Sequence, residues 1–217
     1  VNLNCLYAAS IQASTLSFAW KLVVPCTNQI SSSAIHVSKR NGNTLFIFSY
    51  TGNPWAGTIL DQTGASSPYY GIGKVNSFGS VTDKATLQPD YIYITSHLAS
   101  NDYLYIGFKT SLTSSKSVVI QVFNTDTGKL HTPLASISLN SDNTVTLSSI
   151  HADTSNQLLY IAGSYSVNLK DSTSTIVSGG TFYTVNAFVL VSSTVTWTMQ
   201  NNIIIKDSAG TTVQSRA

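Results

Sequence analysis

Glutamate is absent from this chain, and charge of either sign is scarce: nine aspartates stand against eleven lysines and arginines, and 9 % of the 217 residues are charged. An ordinary soluble domain carries about 25 %. The net charge of +2 is spread thinly and supplies no basic stripe, which argues against a nucleic-acid partner. Methionine occurs once, and no apolar run approaches the ~20 residues of a membrane-spanning helix. The chain opens at Val1 with neither an initiator methionine nor a secretory leader, so it reads as a mature or excised segment. Catalytic signatures are missing as well. There is no Gly-x-Ser-x-Gly elbow, phosphate-binding loop, paired carboxylates at catalytic spacing or Cys/His couple, and the aspartates are scattered among turns. The expectation is a protein that is not an enzyme and carries no cofactor, with a hydrolase whose site assembles from distant loops as the minor alternative. A last absence concerns glycosylation. With 16 asparagines and 59 serines and threonines, chance would supply about four Asn-x-Ser/Thr acceptors, yet none occurs, which fits either a chain that passes a glycosylating secretory route or a chance absence in a bacterial one.

What is present points to strands. Serine, threonine, asparagine, valine, isoleucine and tyrosine dominate, no window shows helical periodicity, and these hydroxyl and β-branched types suit a pleated surface. The length is enough for a sizeable core. Residues 158–166 read LLYIAGSYS, and the pattern recurs at Leu104-Tyr105-Ile106-Gly107-Phe108 and Leu45-Phe46-Ile47-Phe48-Ser49. A polar turn precedes each copy: Asn41-Gly42-Asn43, Ser100-Asn101-Asp102 and residues 153–156. Leu45, Leu104 and Leu159 are spaced by 59 and 55 residues, so the chain reads as three copies of one all-β unit of four strands. The units are placed at 33–88, 90–139 and 143–200, with a half unit at 1–27 and the start of a split one at 202–217. Units of this size with short turns are the signature of β-propeller blades, each too small to bury both faces alone.

The third unit carries a more specific pattern. Asp153, Tyr160, Gly163, Ala187-Phe188-Val189 and Trp197 follow the order of a turn, a central strand and a Trp-bearing strand. In this it resembles the bacterial-type β-propeller repeat often called SBBP, in which an Asp-x-x-Gly-Asn turn precedes a Val-Tyr-Val-Thr-Gly strand, then Asp-Ala-Phe-Val and a strand bearing Trp. The first hairpin matches the second half of that repeat with Trp20 in the Trp place, whereas units one and two lack the Trp. The resemblance implies a propeller and no catalytic residues. Joining the half unit at the N-terminus to the start of a unit at the C-terminus would complete a fourth blade as a clasp. The clasp can close within one chain, with a neighbouring chain, or within a larger protein that has more blades.

The two cysteines fall on the first hairpin. If pairs whose numbers sum to 31 face each other, Tyr7 opposes Val24, Ala9 opposes Leu22, Ile11 opposes Trp20, and Cys5 opposes Cys26. A cross-strand disulfide is the favoured reading over two buried thiols, and it implies an oxidising compartment. Three histidines, His36, His97 and His151, fall in the first strand of successive units. If they converged on the axis they could hold a divalent metal; otherwise each serves its own blade, which is the preferred reading. Asp102, Asp126, Asp142 and Asp153 sit in turns that suit either calcium or local backbone hydrogen bonds, and without glutamate the second is preferred. Trp55, Tyr69 and Tyr70 flank the long loop 51–68 and form a candidate surface for sugar or protein ligands. The expected function is that of an extracellular or cell-surface structural or adhesive propeller that self-associates through unpaired blade edges into a filament or layer. The alternative is a carbohydrate- or protein-binding module centred on Trp55.

Overall fold

The computed structural model describes residues 4–27, 29–51, 69–86, 91–110, 116–126, 129–130, 136–171, 174–177, 186–196 and 199–204. Among them the chain is all-β, built of several antiparallel sheets of which none closes into a barrel. It divides into two compact units, Val1–Tyr91 with Thr125–Lys129, and Ile92–Asn124 with Leu130–Ala217.

The first unit opens on an antiparallel ribbon of β1 (Asn4–Gln12) and β2 (Ser17–Thr27). A meander of β3 (Gln29–Val37), β4 (Thr44–Thr51), β5 (Tyr69–Val75) and β6 (Val81–Thr86) follows, its strands paired in chain order. Sequence explains the contact between β4 and β5. Phe46 stands opposite Gly73 and Phe48 opposite Gly71, and a Cβ at Gly71 would come 2.6 Å from the Phe48 ring. The Gly-Ile-Gly segment is thus a bed for aromatic rings of the neighbouring strand. Phe46, Phe48 and Tyr50 stack in series, with centroids 5.4 and 5.6 Å apart, and share a core with Ala8, Trp20 and Val75. Trp20 lies on Gly79, whose φ of +84° and lack of a side chain are both required there.

The ribbon corrects the expected register. Its turn takes residues 13–16, with Leu16 in the left-handed region (φ 53°), so Gln12 pairs with Ser17. A shift between Ser10 and Ile11 then sets Ser10 opposite Trp20, Ala8 opposite Leu22, Ala9 opposite Lys21 and Tyr7 opposite Val23. Tyr7 and Ile11 therefore do not share a face with Trp20. Because side chains alternate, one slipped residue exchanges the faces. Ala8 and Trp20 go inward, while Tyr7 (53 % exposed), Ile11 (57 %) and Phe18 (51 %) go outward.

In the second unit, β7 (Ile92–Leu98), β8 (Tyr103–Lys109) and β9 (Ser117–Asn124) form a meander. β9 also pairs with β10 (Lys129–Leu130) and with β11 (Ser136–Ser141). A further sheet holds β12 (Val145–Asp153), β13 (Leu158–Tyr165), β16 (Asn186–Ser193) and β17 (Met199–Ile204) in that order. Between β13 and β16 the chain crosses back, and β14 (Leu169–Lys170) and β15 (Thr175–Val177) extend the preceding sheet from β11. Residues 169–170 and 175–177, between β13 and β16, are thus strand. The two sheets bury Tyr105, Val118, Ile120, Val122, Ile137 and Leu139 against Val145, Leu147, Ile150, Leu159, Ile161, Phe188 and Leu190. Each such aliphatic side chain stabilises by about 1.5–3 kcal/mol.

The outermost strands also lie later than expected. Residues 136–141 provide the long fourth partner in one sheet. Thr194–Thr196 is a turn, and Asn202–Ile204, expected to open a split unit, pairs with Phe188–Leu190 in the last sheet. Edge strands are polar and short, so their sequence contrast with loops is weak.

Candidate functional site

Each unit carries a histidine on its first strand, at equivalent register for His97 and His151 and one position off for His36, and a feature absent from the sequence pattern lies ahead of each. The first strand of each of the three larger sheets carries a bulge: between Ser32 and Ala34, Tyr93 and Thr95, and Leu147 and Ser149. The extra residue is Ser33, Ile94 or Ser148, three residues before His36, His97 or His151. A bulge re-aims the side chains after it. His36 pairs in register with Leu45, His97 with Tyr105 and His151 with Tyr160.

Two of these imidazoles meet. The rings of His97 and His151 lie 4.5 Å apart between centroids with their planes at 53°. β7 and β12, which carry them, are terminal strands of their sheets and lie against each other. His97 is half-buried and His151 exposed. The turns that follow are joined by a 2.6 Å hydrogen bond between the Ser100 and Thr154 hydroxyls. Asp153, on the same strand face as His151, accepts from the Ser155 and Asn156 amides at 3.0 and 3.2 Å and from Asn156 Nδ2 at 2.6 Å. These bonds, with the charge of His151, hold its carboxyl below the usual range. His36 belongs to the other unit, where burial holds its imidazole below its ordinary value. Among the described residues no three His, Cys, Asp or Glu side chains cluster.

Of the turn aspartates, Asp153 is held by neighbouring backbone amides, whereas Asp142 and Asp126 take side-chain partners distant in sequence. Asp142 accepts from Lys170 Nζ at 2.5 Å and Asn168 Nδ2 at 2.6 Å, and Asp126 pairs with Arg40 at 3.5 Å. Asp102 is 2 % exposed, and it occupies the left-handed region (φ 62°) in the turn before β8. Of the aromatic candidates, Tyr70 is half-buried on β5, whereas Trp55 and the Tyr69 side chain lie outside the described residues. The cysteine side chains lie outside them too. The backbone register nevertheless shifts between Asn4, opposite Thr27, and Leu6, opposite Val24, which brings Cys5 level with Pro25 and Cys26.

Two open clefts lie among the described residues. One of about 450 Å³ in the first unit is lined by Tyr7, Ala8, Ala9, Ser33, Ala34, Ile35 and Phe46, without a titratable group except the Tyr7 phenol. One of about 280 Å³ in the second is lined by Ile92, Ile94, Thr144, Val145, Thr146 and Ser164, with Lys109 as its single charge. Neither holds a nucleophile paired with a base. No family model matches the chain, and no curated protein or solved structure matches it either.

Proposed function

We propose that this chain is an extracellular structural or adhesive β-propeller subunit that associates with other copies through the uncovered parts of its sheets. The observation that carries the reading is the outer face of the β1–β2 ribbon. Tyr7, Ile11 and Phe18 are half exposed on one face of a sheet that has two strands among the described residues, whereas the other sheets have four or more. Lys21 lies over the Phe18 ring at 4.6 Å and is the single charged side chain on that described face. An apolar face on a two-stranded ribbon is marginal in water until something covers it. The scarcity of charge favours close packing between copies. Three successive antiparallel meanders of similar strand length support the reading of each as a blade.

Sedimentation of the isolated chain beside negative-stain electron microscopy tests it. The expected outcome is concentration-dependent oligomers or fibres that disperse in Ile11→Asp and Phe18→Asp variants whose circular dichroism is unchanged. Monomers at every concentration, or assembly indifferent to both substitutions, would overturn it.

A further inference from the structure

We propose that His97 and His151 form a binding site for one divalent transition-metal ion, copper(II) or nickel(II), which staples the edge strands β7 and β12 together. The geometry fits such an ion. At metal–nitrogen distances of about 2.0–2.1 Å, two imidazoles bound at roughly a right angle have their ring centres about 4.5–5 Å apart. The observed separation is 4.5 Å with tilted planes. Adjacent positions at roughly that angle are what square-planar and octahedral ions offer, and imidazole is a ligand these metals favour over calcium or magnesium.

The surroundings favour the same occupant. His151 is exposed and His97 half-buried, so an ion can enter from solvent. The Ser100–Thr154 hydrogen bond ties the turns immediately beyond the two histidines, which fixes their separation before any ion arrives. Asp153 stands two residues from His151 on the same face, its carboxylate held by Ser155 and Asn156, and supplies negative charge without entering the coordination sphere. No third His, Cys, Asp or Glu joins the pair among the described residues, so water fills the remaining positions. The repeat itself creates the site: a bulge three residues ahead of each histidine sets both side chains on neighbouring edge strands. The site does not depend on assembly between copies and can be read on dispersed chain.

Calorimetric titration of the full chain with nickel or copper chloride, paired with thermal denaturation, tests the assignment. The expected result is one ion per chain and a raised melting temperature. His97→Ala and His151→Ala should each weaken binding at least tenfold and remove the thermal shift, while His36→Ala and His131→Ala leave both as they are. His151→Ala alters an exposed residue and keeps the test decisive should His97→Ala not fold. Absence of saturable binding up to millimolar metal, or binding that survives both substitutions, would overturn the site.

Discussion

β8 and β13 share the run Leu, Tyr, Ile, yet they live in different surroundings. In β8, Leu104, Tyr105, Ile106 and Phe108 are all buried to within 2 % exposure, so both faces of the strand are covered. In β13, Leu159 and Ile161 are fully buried while Tyr160 between them is 36 % exposed and Ala162 intermediate, so one face is open. β12 agrees, with Val145, Leu147, Ile150 and Ala152 inward and Thr146, Ser148, Ser149 and His151 outward. The difference teaches that the repeat specifies a strand and its pairing, while what lies beyond the sheet decides how much each side chain contributes. It also explains why the paired histidines are accessible: they sit where covered and open faces adjoin.

The largest expected effect tests that contrast directly. Phe108→Ala should cost about 3–5 kcal/mol, the range for a fully enclosed aromatic ring. Tyr160→Ala should cost less, about 1–2 kcal/mol, since about a third of its surface is already exposed. Urea unfolding midpoints of the two variants measure both. Equal losses would mean that the open face of β13 is covered in solution, as self-association would bring about.

Glycine reverses the order of the two strands. A Cβ at Gly107 would meet the far ends of Leu147 and Ile150 at 2.6 and 3.0 Å, and these can rotate aside. At Gly163 it would meet the Thr146 carbonyl oxygen of the neighbouring strand and the Phe188 ring at 2.7 Å. Backbone cannot give without breaking the β12–β13 ladder. Gly163→Ala should therefore cost about 3 kcal/mol and Gly107→Ala about 1 kcal/mol, measured on the same urea curves.

Much of this was legible before any coordinates. The repeat of Leu, aromatic, Ile located β4, β8 and β13, because a central strand must be apolar to be buried, and the Asn-Gly and Asn-Asp turns bounded them. The ribbon register was not legible, because a four-residue turn with Leu16 left-handed cannot be told from the tighter one that pairing to a sum of 31 requires. Nor were β11 and β17, whose polar edge sequences SISLNS and MQNNII resemble loops. The histidines stood out by their recurrence, but which of them meet depends on bulges that leave no mark in composition.

Tyr105 offers a smaller and pH-dependent test of the same contrast. Burial, with Tyr103 beside it, pushes its phenol up to about 12. A group whose pKa is raised by folding stabilises fully below its unfolded value near 10 and loses that contribution as pH climbs toward the folded value. Stability should thus hold to about pH 10 and fall by about 2 kcal/mol by pH 12 through this group alone. Subtracting the profile of Tyr105→Phe isolates it; coincident profiles would mean the phenol is not enclosed as β8 implies.

The smallest effect separates the two turns at the ends of β12. Asp142, at its start, is held below the usual carboxylate range first by Lys170 and then by Asn168. Asp153, at its end, is held down chiefly by the neutral groups of Asn156 and Ser155. A charged partner on the surface is screened by salt, while short hydrogen bonds from amides are not. Carboxyl titration by NMR should therefore show Asp142 rising toward its ordinary value in molar salt or in Lys170→Met, with Asp153 unmoved by either. The sign for stability follows: a lowered carboxyl pKa supports the fold above the ordinary carboxylate value, and the support fades as pH falls through the folded value. If Asp142 stayed low in Lys170→Met, Asn168 would be its real anchor. The link from the β12 turn to β14, which carries Lys170, would then be a hydrogen bond one residue outside that strand rather than an ion pair within it.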